Sequence, residues 1–168
     1  MTGKEIANKA WDICEEFGRC NKFAGAATTE IAKEALASEG ITTSVRDVFV
    51  KGLPIEWDLI VPRPYAVPTF NGLLYKSADV ACALEIKLSG LHSQEDVPRM
   101  TQNFERAKSL GVSCIYVTIG ERDTYRYRAT TESLKFPVFT LMWHRAEPVD
   151  TRDWEKLVSF LKTRISEV

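Results

Sequence analysis

The sequence has no apolar run near the roughly 20 residues that a membrane-spanning helix needs. Its first residues, MTGKEIANKAWD, become charged at once, so no secretory signal core is expected and a cytoplasmic setting follows. Cysteine is scarce. Cys14, Cys20, Cys82 and Cys114 form no close CxxC pair, and they read as reduced structural thiols rather than zinc ligands. Histidine is scarcer still, with only His92 and His144, which leaves zinc-hydrolase and Ser-His-Asp chemistry without support. There is no glycine-rich phosphate loop, no internal repeat and no low-complexity tract. Nor is there an excess of positive charge: 22 basic residues face 23 acidic ones, for a net charge of −1. This balance counts against a broad nucleic-acid-binding surface, which is normally rich in Lys and Arg. A local basic groove still fits on a neutral protein, and a site for divalent cations must itself be acidic.

What is present suits one globular domain over residues 1–168, long enough to bury a proper core. Ile6, Ala10, Ile13 and Phe17 recur at helical spacing, predicting an amphipathic helix over 3–19 that stops near Gly18. A second helix is expected over 29–38, capped by Thr28 or Thr29 and stopped by Gly40. Strands follow at 41–53 and 55–61, the latter closed by Pro62, Pro64 and Pro68. Asn71-Gly72 marks a turn in the longer connection. A third strand spans 79–90, a helix 95–110, a buried strand 112–120, a fifth strand 136–144 and a last helix 154–165. The order predicts an α/β domain: a central mixed sheet of about five strands flanked by helices.

Two charged spots interrupt apolar strands. Asp58 lies within Ile-Glu-Trp-Asp-Leu-Ile-Val, and Glu85-Ile86-Lys87 ends the run from Val80. Residues two apart on a strand share a face, so Glu85 and Lys87 project together while Ile86 points away. If the two strands are neighbours, Asp58 comes alongside Glu85. Two carboxylates and an ammonium then meet at one spot. That set suits phosphodiester hydrolysis. Carboxylates hold Mg²⁺ through hard oxygen ligands, the ion acidifies and orients water, and a lysine positions that water or accepts its proton.

An Asp on one strand, a connection, then Glu-x-Lys late in the next, followed by a helix and a buried strand, resembles the PD-(D/E)XK nuclease superfamily. The resemblance covers about residues 28–120, with 121–168 as a strand and helix completing the domain. It implies a restriction-endonuclease-like three-layer core and Mg²⁺-dependent cleavage of DNA, with Mn²⁺ as a substitute ion. Asp58 and Glu85 would be the metal ligands and Lys87 the catalytic lysine. Many members carry an acidic residue on the preceding helix, for which Glu30 is the nearest match and Glu34 the alternative. Gln102 matches a glutamine that some members place on the following helix, although Arg106 stands where a tyrosine often follows. Trp57 stands where the superfamily's eponymous proline would be.

The stretch Glu121–Arg128 alternates Arg with Tyr, so Arg122, Arg126 and Arg128 are candidates for phosphate contacts. Tyr125 and Tyr127 are candidates for stacking on bases or sugars. Arg99, Arg106 and Lys108 extend that surface. His92 is a further candidate phosphate contact, and His144 reads as structural. Cutting both DNA strands takes two active sites, so a homodimer is expected. Two other readings stay open at this stage: a catalytically inactive nuclease-fold module that binds nucleic acid or a protein partner, and an unrelated α/β assembly domain.

Overall fold

Helix α1 (Gly3–Phe17) begins where Thr2 and Glu5 form a reciprocal capping box. Thr2 accepts from the Glu5 amide at 3.2 Å, and Glu5 accepts from the Thr2 amide at 2.8 Å. Such a cap contributes about 0.5–2 kcal/mol. The computed structural model describes residues 1–18, 22–88, 96–122, 129, 132–144 and 148–167.

Helix α2 (Lys22–Ser38) starts well before the expected 29–38. Thr28 and Thr29 are not caps. They are buried inside the helix, where their hydroxyls donate to the Ala24 and Gly25 carbonyls at 2.7 and 3.2 Å. A threonine that bonds back one turn loses its pull toward a cap.

The sheet then forms from β1 (Val45–Val50), β2 (Glu56–Pro62), β3 (Leu74–Tyr75), β4 (Val80–Lys87), β5 (Ser113–Thr118) and β7 (Val138–Thr140). Between β5 and β7 comes β6 (Glu121–Arg122), which joins β8 (Met142–His144) and β9 (Val149–Asp150) in a small second sheet. Helix α3 (Asp96–Ser109) connects β4 to β5, and α4 (Asp153–Ser166) closes the chain. The central sheet has six strands rather than about five, in the order β3-β1-β2-β4-β5-β7. The extra strand is β3, a short edge within the proline-rich connection. The expected fifth strand at 136–144 divides at Leu141 between the two sheets. The sheet is mixed: β1–β2 and β2–β4 are antiparallel, while β4–β5 and β5–β7 are parallel.

Two apolar clusters sandwich the sheet. On one face Ile6, Ala10, Leu36, Trp154, Leu157 and Leu161 of α1, α2 and α4 cover Leu59, Leu84, Ile86, Ile115 and Val117. On the other, Met100, Phe104 and Ala107 of α3 cover Trp57, Ala83 and Tyr116. The result is the expected α/β three-layer arrangement. Among the described residues, no helix is long and apolar enough to cross a membrane. Cys14, Cys82 and Cys114 are buried, and burial pushes Cys82 and Cys114 up to about 12.

Candidate active site

Strand β4 alternates cleanly near its end. Leu84 and Ile86 face the cluster under α1, α2 and α4. Glu85 and Lys87 therefore face the α3 side, beside Tyr116 and Thr118, their register partners on β5. Strand β2 is antiparallel to β4 from Leu59↔Leu84 onward. Continuing that register puts Asp58 across from Glu85, yet no ladder pair forms there. Instead the Asp58 carboxylate accepts from the Ile86 amide at 2.7 Å, so a side chain occupies the acceptor position that a strand backbone would fill.

This places three groups together. Lys87 Nζ donates to Glu85 Oε1 at 2.6 Å and lies 3.4 Å from Asp58 Oδ2. All three side chains are partly exposed, at 39% for Lys87, 31% for Asp58 and 23% for Glu85, so solvent and solutes reach the cluster. Burial pushes the Glu85 carboxyl above the usual carboxylate range and the Asp58 charge pushes it further, while Lys87 and then Arg99 pull it back. Burial works to lower the Lys87 ammonium, but Glu85 and Asp58 more than offset it and hold it above the usual lysine value. The sequence allowed Lys87 to act as a proton acceptor or an orienting donor. Here two carboxylates keep it charged, and a charged lysine is a donor.

The other predicted residues are placed differently. Glu30, on α2, directs its carboxylate to Arg46 at 2.9 Å and Lys33 at 3.5 Å, and the Arg46 hydrogen bond holds it below the usual carboxylate value. It does not join Asp58 and Glu85. Glu34 is exposed on the same helix, and its carbonyl accepts from Ser38. Gln102 is exposed on α3. Arg99 is near enough to Glu85 to lower its pKa, and it pairs with Asp96 at 2.7 Å. His92, Tyr125, Arg126, Tyr127 and Arg128 lie outside the described residues, as do the side chains of Arg122 and His144.

Two features were not expected from the sequence. The Ile86 amide anchors Asp58. Thr118, in register with Lys87 on the same face, is fully buried, and among the described residues its hydroxyl finds no hydrogen-bond partner. A threonine ending an apolar strand gives little signal in sequence, because it is also a good strand former.

Among the described residues, no three His, Cys, Asp or Glu side chains come together as a metal cluster. Mg²⁺ does not require one, since it takes one or two carboxylates and keeps water or substrate phosphate in its other positions. Asp58 and Glu85 meet that need: a single cation, the Lys87 ammonium, already contacts both.

No protein-family model and no curated protein matches the chain. Solved structures do. NucC of E. coli MS115-1 in its cAAA-bound form aligns with a TM-score of 0.69 at 13% identity, over 96% of this chain and 87% of that one. NucC of P. aeruginosa ATCC27853, also cAAA-bound, aligns with a TM-score of 0.66 at 10% identity, over 96% and 88%. The apo form of the E. coli protein gives 0.54 at 12%, over 99% and 91%. At these identities the likeness concerns the fold alone: this chain shares the NucC fold, a mixed sheet flanked by helices, in line with the expected three-layer core.

Proposed function

We propose that this chain is a Mg²⁺-dependent DNA endonuclease with Asp58, Glu85 and Lys87 as its catalytic centre. The observation that carries this reading is the departure of Asp58 from the β2–β4 ladder. Its carboxylate turns to the Ile86 amide and so shares one point with Glu85 and Lys87. A regular strand would spend that backbone position on pairing.

In this reading Asp58 and Glu85 hold the ion, with Mn²⁺ as a substitute. When bound, such an ion supplies a more acidic water and positive charge against the phosphate. The Ile86 amide fixes the Asp58 carboxylate in place before any ion arrives. Lys87, charged and donating, orients the attacking water or a phosphate oxygen. Loss of a donor of that kind typically costs about 10²–10³ in kcat. Arg99, on α3, lowers the Glu85 pKa through its charge and is suited to a phosphate on that side of the site. The Arg-Tyr stretch at 122–128 would extend the contact along the nucleic acid, and two copies of the chain would cut both strands.

The test is nicking of supercoiled plasmid with Mg²⁺ and with Mn²⁺. Wild type is run beside Asp58→Ala, Glu85→Ala and Lys87→Ala, each checked for folding by circular dichroism. Cleavage by wild type that falls at least about a hundredfold in each variant is the expected outcome. Cleavage that survives all three would remove the site assignment. An inert wild type on plasmid, junction and flap substrates would favour a nuclease-fold binding module instead.

A further inference from the structure

The ladder between β1 and β2 keeps one register throughout, pairing Val45 with Ile60, Arg46 with Leu59, Val48 with Trp57 and Phe49 with Glu56. One pair is missing, Asp47 with Asp58. At that point Asp47 adopts a left-handed backbone, with φ of 55°, in the middle of a strand. Both strands also change phase there. Val45 and Val48, three apart, pack with the same cluster on the α3 side, whereas Trp57 and Leu59, two apart, pack on opposite sides of the sheet. A regular strand does the reverse in both cases.

Asp47 is held in this conformation from the side. Arg46 Nε donates to its carboxylate at 2.7 Å, and Arg46 Nη1 donates to Glu30 of α2 at 2.9 Å. A chain of ion pairs thus runs from α2 to the break in the ladder, and the residue opposite that break is Asp58.

We infer that Asp47 is a positioning residue: its left-handed backbone opens the ladder opposite Asp58 and so lets the Asp58 carboxylate reach the Ile86 amide and Lys87. Arg46 and Glu30 steady it. This gives Glu30 a role on the supporting side of the site. Only the activity arm of the inference rests on the proposed nuclease function; the placement of Asp58 is testable without it.

The experiment compares Asp47→Gly with Asp47→Ala. Both remove the carboxylate, but only glycine adopts a positive φ without steric cost. The structural readout is the Ile86 amide proton in ¹H–¹⁵N spectra of the metal-free protein, whose 2.7 Å bond to the Asp58 carboxylate should move it downfield. Asp47→Ala is expected to shift this resonance upfield, while Asp47→Gly leaves it near the wild-type position. In plasmid nicking, Asp47→Ala should lower kcat on the order of tenfold to a hundredfold with KM little changed, as misplacement of a reacting group by about 1 Å does. Arg46→Gln, which releases the Asp47 carboxylate without altering the strand sequence at 47, should move the amide the same way by a smaller amount.

An Ile86 amide that stays in place in both Asp47→Ala and Arg46→Gln overturns the inference. So does a glycine variant as displaced as the alanine one, because the carboxylate rather than the backbone would then be responsible. If the amide behaves as expected while wild type cuts no DNA, the positioning stands and the nuclease reading falls.

Discussion

The two borders of β4 are built differently. Toward β5 the strand pairs at six consecutive positions, from Cys82↔Ser113 to Lys87↔Thr118, without interruption. Toward β2 the pairing runs from Leu59↔Leu84 to Val61↔Cys82, slips by one residue at Pro62↔Val80, and at its other end stops before Asp58, where a carboxylate takes the Ile86 amide in place of a backbone carbonyl. The regular border supplies rigidity. In the proposed reading the broken one supplies chemistry, since a backbone that stops pairing frees its side chain to choose another direction. Glu85 and Lys87 belong to both borders. They stand on the rigid strand and face the group that the irregular one releases.

The largest stability effect should come from damage to the regular part. Leu84 is 1% exposed and pairs with Leu59 and Ile115. Leu84→Ala should cost about 2–5 kcal/mol in chemical denaturation. Nicking per folded molecule should be retained, because the Leu84 side chain points away from the cluster. A stability equal to wild type would show that this border is less tightly packed than the structure has it.

The broken border should respond electrostatically. Glu85 is raised by burial and by the Asp58 charge, and is drawn down by Lys87. Asp58→Asn should therefore lower the Glu85 pKa, and Lys87→Ala should raise it further, as followed by side-chain carboxyl ¹³C shifts against pH. The sign matters for the proposed ion. Glu85 must lose its proton to bind a cation, so binding should weaken as pH falls through the raised Glu85 value, earlier than for an ordinary glutamate. Shifts of the opposite sign in the two variants would mean that the three groups do not share one electrostatic site.

Much of this arrangement was legible in the sequence, and the reason is specific. Asp58, Glu85 and Lys87 stood out because charges interrupt strands that are otherwise apolar, and the period of a strand put Glu85 and Lys87 on one face. The neighbouring strands, the helix after β4 and the buried β5 followed from their apolar patterns. The break that releases Asp58 did not show, because it depends on the φ of Asp47, and an Asp on a strand reads the same whether its backbone is extended or left-handed. Glu30 looked like a ligand for a related reason: its place on α2 is visible in sequence, but its pairing with Arg46 is a tertiary contact. The start of α2 was hidden by Thr28 and Thr29, which look like caps until the preceding turn gives their hydroxyls carbonyls to bond. Leu141 divides one apolar run between two sheets, and no residue in 136–144 announces that division.

In the proposed function the broken border of β4 holds a divalent cation for DNA cleavage. Calorimetric titration of Mn²⁺ into wild type, Asp58→Asn and Glu85→Gln tests the cation's binding most directly. Saturable binding by wild type is expected to be lost or greatly weakened in both variants, while their circular dichroism stays native. Binding that persists unchanged in both would contradict this reading, and would place any metal chemistry of this protein somewhere other than Asp58 and Glu85.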